Sequence, residues 1–169
     1  LDVINSGSAM ELDEETIAFI KEVVKEKKIH TLWFEAHYMY RKKLASFAEQ
    51  FAPAKVKFRC GVETFDTALR EAWKKGIPSS VSVQDIAQHF QGICLLCCTQ
   101  GETKEHILKD IELAKAHFEY FSVNVFCDNH TPIKQDKELA SWFAKEVYPM
   151  IKDDPRIEVL MENTDLGVG

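Results

Sequence analysis

Residues 56–63 read Val-Lys-Phe-Arg-Cys-Gly-Val-Glu, an alternation of apolar and polar side chains that is typical of a β-strand. One face carries Val56, Phe58, Cys60 and Val62, and the other carries Lys57, Arg59, Gly61 and Glu63. A parallel sheet that is covered by helices on both sides has two apolar faces. A strand with charges on one face instead fits the interior of a barrel that holds a ligand. Residues 122–127, Ser-Val-Asn-Val-Phe-Cys, show the same division.

Short β-branched runs alternate with helical patterns along the whole chain, and a strand starts about every 30 residues, the length of one strand–helix unit. This order predicts an α/β fold with parallel strands and right-handed crossovers. Together with the polar strand faces, it favours a partial TIM-type (β/α) barrel with outer helices over a doubly wound open sheet. The predicted strands are residues 1–5, 30–35, 56–63, 93–98, 122–127 and 157–161.

The chain contains no Gly/Ser-rich or Pro-rich linker and no residue-level repeat, which predicts a single domain over residues 1–169. It begins at Leu1, inside the first predicted strand. Because domains seldom start on a core strand, we expect a fragment of a barrel that is incomplete at its N-terminal side. An unpaired edge at residues 1–5 further predicts self-association.

Capping signals mark the starts of the helices. The predicted N-caps are Asp13, Thr64, Ser82 and Thr103. The helix after Thr64 is predicted to end at Gly76, where a glycine suits the left-handed residue beyond a helix. Tyr40, Leu44, Phe47 and Phe51 recur at helical spacing and predict one further helix.

The composition is that of an ordinary globular protein, with 46% hydrophobic and 28% charged residues. The net charge of −6 provides no electrostatic footprint for nucleic acid. No stretch reaches the roughly 18 apolar residues of a membrane span, and no signal peptide is apparent. Five cysteines, an odd number in a chain that does not need disulfides, indicate a reducing compartment and hence a cytoplasmic protein.

Polar or acidic residues follow all six predicted strands, at the end where parallel α/β folds bind their ligands. Caps and turns account for many of them. They do not account for Glu35 and Glu63, each of which closes an apolar strand where a carboxylate is poorly solvated. The segment Asn5-Ser6-Gly7-Ser8 suits a turn and suits equally an anion or carboxylate site built from N–H groups and hydroxyls.

The cysteines and histidines do not predict a metal site. Cys94 and Cys97 have the spacing of a zinc half-site, but on a strand Cys94 and Cys98 face one side while Cys97 faces the other. Buried small apolar residues are the better interpretation. His37 and His130 follow strands and are open candidates for acid–base or ligand contacts.

The order of these motifs resembles the radical SAM enzymes. The resemblance rests on Asn-Ser-Gly-Ser at 5–8, the strand ending at Glu35, Arg-Cys-Gly-Val-Glu-Thr at 59–64 with Lys75-Gly76 behind it, and residues 92–103, where Gly-Glu-Thr opens a helix. It covers almost the whole chain. It implies the family's partial (β/α)6 barrel, represented here from its second strand onward.

The resemblance also implies a set of S-adenosylmethionine (SAM) contacts. The implied binders are Asn5, Ser6, Gly7, Ser8, Glu35, Arg59, Glu63, Gly92, Asn124 and Val125. Residues 5–8 stand where a Gly-Gly-Glu-like segment of the family holds the methionine amino group, and Gly92, Asn124 and Val125 belong to the strands that flank adenine. The sequence departs from the family in lacking Gly-Gly-Glu and the usual Pro before Gly-Glu-Thr.

The family binds a 4Fe–4S cluster through three cysteines spaced CxxxCxxC, and an electron from this cluster cleaves SAM to a 5′-deoxyadenosyl radical. No CxxxCxxC occurs in this sequence. The resemblance therefore implies the SAM-binding portion of a radical SAM enzyme of unknown substrate, with the intact protein active and this chain alone inactive. Two other classes stay open: a barrel enzyme that uses carboxylates or a metal, and a non-catalytic binding module.

Overall fold

Six parallel strands form one sheet, and their order across the sheet is their order along the chain. The computed structural model describes residues 1–5 and 7–162. The strands are β1 (Asp2–Val3), β2 (Thr31–Glu35), β3 (Lys55–Glu63), β4 (Gly92–Cys97), β5 (Tyr120–Val125) and β6 (Ile157–Leu160). A doubly wound sheet would reverse its strand order at one point. The continuous order confirms the partial TIM-type barrel.

Helices connect consecutive strands on the outer side of the sheet. They are α1 (Glu14–Glu26), α2 (Leu44–Glu49), α3 (Thr67–Ala72), α4 (Val83–Ala87), α5 (Lys104–His117), α6 (Lys137–Trp142) and α7 (Tyr148–Ile151). A π-helical turn, Phe143–Val147, joins α6 to α7, and short 3₁₀ turns cover Ala9–Glu11 and Tyr38–Tyr40. No helix within the described residues has the length and apolar character to cross a bilayer.

The apolar strand faces pack against these helices, as the alternation in residues 56–63 predicts. Phe58, Cys60 and Val62 are buried on the helix side. Phe34 on β2 joins the same layer, with its ring 5.3 Å from Phe47 in an edge-on arrangement. Because buried aromatic rings contribute most of the apolar area of such a core, this layer fixes α2 against the sheet.

The opposite face of the sheet curls around a polar lumen. The Arg59 guanidinium pairs with Asp2 and lies over the rings of Trp33 (5.8 Å) and Tyr120 (5.5 Å). The Tyr120 hydroxyl donates to Glu158 Oε2 on β6 at 2.7 Å. These contacts join β1, β2, β3, β5 and β6 across one face, which requires the sheet to be curved. We call Trp33, Arg59 and Tyr120 the lumen floor.

Four local predictions need correction. The helix after Thr64 ends at Ala72, with Trp73 as its C-cap, and not at Gly76. The N-cap of α3 is Asp66, whose carboxylate accepts from the Leu69 N–H at 2.8 Å, and not Thr64. Thr64 is fully buried, and its hydroxyl oxygen accepts from the Asp66 N–H at 3.0 Å. Glu63 adopts a left-handed φ of +66°, so the chain turns at the end of β3 and the helix starts two residues later than expected.

Cys98 lies on the helix side with Cys97, their sulfur atoms 3.7 Å apart, instead of facing the lumen with Cys94. A left-handed φ of +66° at Cys98 breaks the strand alternation there. The helix predicted across residues 40–51 is also divided, into the turn Tyr38–Tyr40 and the separate helix α2.

Candidate functional site

Two adjoining cavities lie at the carboxyl ends of the strands. The rim cavity, of about 320 Å³, is lined mainly by Gly7, Ser8, Glu11, Glu35, His37 and Lys75. The lumen cavity, of about 90 Å³, lies between this rim and the lumen floor, and its polar lining includes Glu35, Arg59, Cys94, Ser122, Asn124 and Glu158. Glu35 lines both cavities. The carboxyl ends of parallel strands are the usual ligand side of such folds.

Two larger cavities lie elsewhere, among the outer helices. One of about 580 Å³ is bordered by α3, α4 and α5, and one of about 670 Å³ lies between α1 and the segment that follows α2. In the first, the buried Arg70 guanidinium donates to the carbonyls of Pro78 and Val81, which anchors the loop before α4. Neither cavity is lined by a residue of a strand, so neither is the candidate site.

Glu11 reaches back from its 3₁₀ turn to the segment after β1. Its Oε2 accepts from the Ser8 N–H at 3.3 Å, and its Oε1 accepts from the Tyr40 hydroxyl at 3.0 Å. Asn5 donates to the Ser8 carbonyl at 3.3 Å, while its own buried Oδ1 has no hydrogen-bond partner among the described residues. The rim cavity therefore presents the fixed Glu11 carboxylate, and the Asn5 amide with its unused oxygen is bonded to the cavity residue Ser8.

Lys75 supplies the positive charge of the rim cavity. Its Nζ lies 2.7 Å from Glu63 Oε1. Burial lowers the pKa of Lys75, but the carboxylates of Glu63 and Glu35 outweigh this effect, so the pKa lies above its usual value. Lys75 is thus a stable cation that lies close to two carboxylates.

His37 holds Lys75 in place. Its Nδ1 accepts from the Met39 N–H at 3.2 Å, so its Nε2 carries the proton and donates to the Lys75 carbonyl at 2.7 Å. Both ring nitrogens are therefore used in positioning the chain. The other candidate histidine, His130, lies in an exposed loop beyond β5.

The carboxylates of Glu35 and Glu63 converge over Gly61. A Cβ at Gly61 would lie 3.2 Å from Glu35 Oε1 and 3.5 Å from Glu63 Oε1, so the glycine makes room for them. Burial raises the pKa of Glu35, and Glu63 raises it further against the opposing charges of Arg59 and Lys75. A ligand that donates hydrogen bonds to this pair would relieve their repulsion.

Small side chains open the lumen cavity. The strand register places Gly61, Cys94 and Ser122 side by side on β3, β4 and β5, with Glu158 next on β6. Arg59 Nε below this row and Asn124 Oδ1 above it are buried without hydrogen-bond partners among the described residues. Because unpaired buried polar atoms are costly, these atoms point to a bound polar ligand.

The structure brings together most of the residues implied by the resemblance. Those around the two cavities are Asn5, Gly7, Ser8, Glu35, Arg59, Glu63 and Asn124. Gly92 lies at the opposite end of β4, where a Cβ would approach the Tyr120 carbonyl oxygen to 2.9 Å and the Trp33 ring to 3.0 Å. The Val125 side chain packs into the helix-side core. Ser6 lies outside the described residues, as do residues 163–169.

Sequence reasoning did not select Glu11, Lys75 or Glu158 as site residues. The spacing of Ser8 and Glu11 is that of a capping box, which was a usable signal for Glu11. Lys75 belongs to the Lys-Gly pair after the Arg-Cys-Gly-Val-Glu-Thr run. Glu158 carried no signal, because only the curvature of the sheet brings β6 toward β1.

The described residues contain no group of three or more His, Cys, Asp or Glu side chains placed to hold a metal ion. Of the five free thiols, Cys94 alone lines a candidate cavity. Burial, and then the charge of Glu35, raises the pKa of the Cys94 thiol to about 12, which keeps it protonated at neutral pH.

Comparison with known proteins identifies one relevant solved structure. No family model and no curated protein matches the chain. A queuine lyase from Clostridium spiroforme, whose structure is bound to SAM and queuine, is 38% identical to this chain. The match has a TM-score of 0.92 and covers 100% of this chain and 73% of the lyase chain.

That lyase is a radical SAM enzyme. The alignment with that lyase covers the whole of this chain, and therefore all six strands and their ends at the rim and lumen cavities. The match supports the interpretation of the chain as the counterpart of a SAM-binding portion. On this evidence, the chain belongs to the radical SAM superfamily.

Proposed function

We propose that this chain binds SAM in the rim cavity as part of a radical SAM lyase that acts on queuine or a closely related 7-deazaguanine base. Membership of the superfamily and the 38% identity to a lyase bound to SAM and queuine support the proposal. The observation that carries it is the pairing of opposite charges, Glu11 and Lys75, in one cavity at the strand ends.

The methionine end of SAM carries an ammonium and a carboxylate. Glu11 and the unpaired Asn5 Oδ1 are acceptors for the ammonium, and the Ser8 hydroxyl lines the same cavity. Lys75 is the cation for the carboxylate. Charge-assisted hydrogen bonds of this kind are about twice as strong as neutral ones, so they suit the selection of a free amino acid group.

The ribose of SAM carries two hydroxyl donors, which suit the converging carboxylates of Glu35 and Glu63. The adenine then lies toward the end of β5, along Asn124 and the backbone of Val125. Arg59 lies a layer deeper and Gly92 at the far end of β4, so we do not include them among the SAM contacts.

The cysteines of this chain do not fit a 4Fe–4S cluster. The sequence has no CxxxCxxC, and Cys97 and Cys98 are buried in the helix-side core. The superfamily uses such a cluster to cleave SAM to a 5′-deoxyadenosyl radical. These 169 residues would not hold such a cluster, and the residues described here bind and orient the SAM cofactor.

Calorimetric titration of the purified protein with SAM and with 5′-methylthioadenosine, which lacks the amino acid end, tests the assignment. SAM should bind at least about tenfold more tightly, and Lys75→Met should remove most of this preference. Lys145→Met, on an exposed lysine of the π-helical turn, is the matched control. Equal binding of both compounds, or equal behaviour of the two variants, would refute the role of the rim cavity.

The remaining features of the proposal concern the state of the protein. We infer a single domain, and a cytoplasmic location because all five cysteines are free thiols.

We also infer self-association through β1, whose neighbours Leu1 and Ile4 are half exposed. Light scattering should show a dimer or larger species that Ile4→Lys dissociates; a monomer at high concentration would contradict this. The proposal assigns no membrane or nucleic-acid partner.

A further inference from the structure

Two charged residues of the lumen cavity, Arg59 and Glu158, are not used by the SAM assignment. The row of small residues in this cavity, Gly61, Cys94 and Ser122, forms a slot between the carboxylates of Glu35 on β2 and Glu158 on β6. Small side chains on three adjacent strands leave room for a flat group to enter edge-first. At about 90 Å³, the slot holds one edge of a ring system rather than a whole bicyclic base.

Glu158 is a fixed carboxylate with one oxygen to spare. The Tyr120 hydroxyl donates to its Oε2 at 2.7 Å, which orients the group, and Glu158 lines the cavity. Burial, and then the hydrogen bond with Glu158, raises the pKa of Tyr120, so the phenol remains a donor. The Oε1 atom is therefore available to accept from a ligand.

Arg59 supplies the complementary donor. Its side chain is more than nine-tenths buried, and its Nε has no hydrogen-bond partner among the described residues. Its terminal nitrogen is already paired with Asp2. The Tyr120 ring lies 5.5 Å from the Arg59 guanidinium and its hydroxyl contacts Glu158, so the phenol links the two charged groups.

A carboxylate acceptor beside a guanidinium donor matches one common heterocyclic edge. A 2-aminopyrimidin-4-one ring, as in guanine-type bases, presents two adjacent N–H donors next to a carbonyl oxygen. The carboxylate accepts from both donors, one at Oε1 and one at Oε2, whose second lone pair is not used by Tyr120. A guanidinium N–H donates to the carbonyl. Adenine presents an amino donor beside ring acceptors and lacks the second ring N–H, so it does not match this pair.

We propose that Glu158 and Arg59 form a specificity site in the lumen cavity for the 2-aminopyrimidin-4-one edge of the substrate base. This inference rests on the proposed function, since it assigns the base recognition of the same lyase. The Trp33 and Tyr120 rings of the lumen floor close the site from below, and the remainder of the substrate extends toward the rim cavity.

The test is calorimetric binding of 7-deazaguanine, 7-deazahypoxanthine and adenine to the protein, with and without saturating SAM. Removing the 2-amino group takes away one of the two donors to the carboxylate, and adenine lacks the ring N–H. 7-Deazaguanine should therefore bind about tenfold or more better than 7-deazahypoxanthine and adenine. Glu158→Gln should abolish this preference. Glu112→Gln, on an exposed face of α5, should keep it.

Equal binding of the three bases by the unmodified protein would overturn the inference, whether or not the variants fold. Retention of the preference in folded Glu158→Gln would also overturn it. If SAM binds and no base does, the specificity site is wrong while the SAM assignment stands. If 7-deazaguanine is selected but SAM does not bind, the specificity site stands and the proposed cofactor function fails.

Discussion

Glu102 offers a quantitative test of the loop that follows β4. Its side chain is 8% exposed, and its Oε2 accepts from the Thr99 N–H at 2.6 Å and the Thr99 hydroxyl at 2.9 Å. Its Oε1 is buried without a hydrogen-bond partner among the described residues. Burial raises the pKa of Glu102 to about 7 against the lowering effect of Thr99. The folded protein therefore holds a proton that the unfolded chain has released.

The sign of the effect follows from proton linkage. Between the ordinary pKa of 4.5 and about 7, the folded state binds more protons than the unfolded state, so the free energy of unfolding falls as the pH rises. One pKa unit corresponds to about 1.4 kcal/mol, so the full loss of stability is at most about 3.5 kcal/mol and is reached above about pH 7. Below the ordinary pKa the effect vanishes.

Glu102→Gln removes this charge while keeping an oxygen that accepts from Thr99. Urea unfolding should be measured at about pH 5 and about pH 8. At the higher pH only, the free energy of unfolding of the variant should exceed that of the unmodified protein by about 1–3 kcal/mol. Glu105→Gln, on the first turn of α5, is the control and should show no such gain. A difference between Glu102→Gln and the unmodified protein that does not depend on pH would refute the reasoning.

Three further predictions concern the cavities and their surroundings. Gly61→Ala should leave the unfolding midpoint nearly unchanged but weaken SAM binding about tenfold in calorimetry, because its Cβ would displace the mobile ends of Glu35 and Glu63; unchanged affinity would contradict this. Gly92→Ala should lower the free energy of unfolding in urea by about 1–3 kcal/mol, because its Cβ meets backbone at 2.9 Å, and the folded variant should keep its SAM affinity. Unchanged stability with weakened SAM binding would make Gly92 a cofactor contact. Native alkylation followed by mass spectrometry should modify Cys127 first, since it is half-buried and the other four thiols are buried; earlier modification of Cys94 would show an open lumen.

The barrel was predictable because the strand period of two carries information about both faces of the sheet. If residues 56–63 form a buried strand, one of its faces carries Lys57, Arg59 and Gly61. These residues suit neither a helix-covered face nor open water, so the sequence itself required a polar interior. For the same reason, each end of the six strands was predicted to within two residues. Glu35 and Glu63 were also predictable, since a carboxylate that closes an apolar strand needs a partner.

The errors arose where the backbone turns without a glycine. Glu63 and Cys98 both adopt left-handed φ values near +66°, which the sequence did not signal. These turns moved the cap of α3 from Thr64 to Asp66 and placed Cys98 in the core. Contacts between segments distant in sequence determine the site roles of Glu11, Lys75 and Glu158. Periodicity along the chain does not predict such contacts.

The central claim, that this chain holds SAM through its own strand ends, is tested most directly by equilibrium dialysis of the purified protein against labelled SAM. We predict saturable binding of one SAM per chain with half-saturation below about 1 mM, a binding free energy of about −4 kcal/mol or better. Competition by S-adenosylhomocysteine should displace the label. Folded protein that retains no SAM at millimolar concentration would contradict the account.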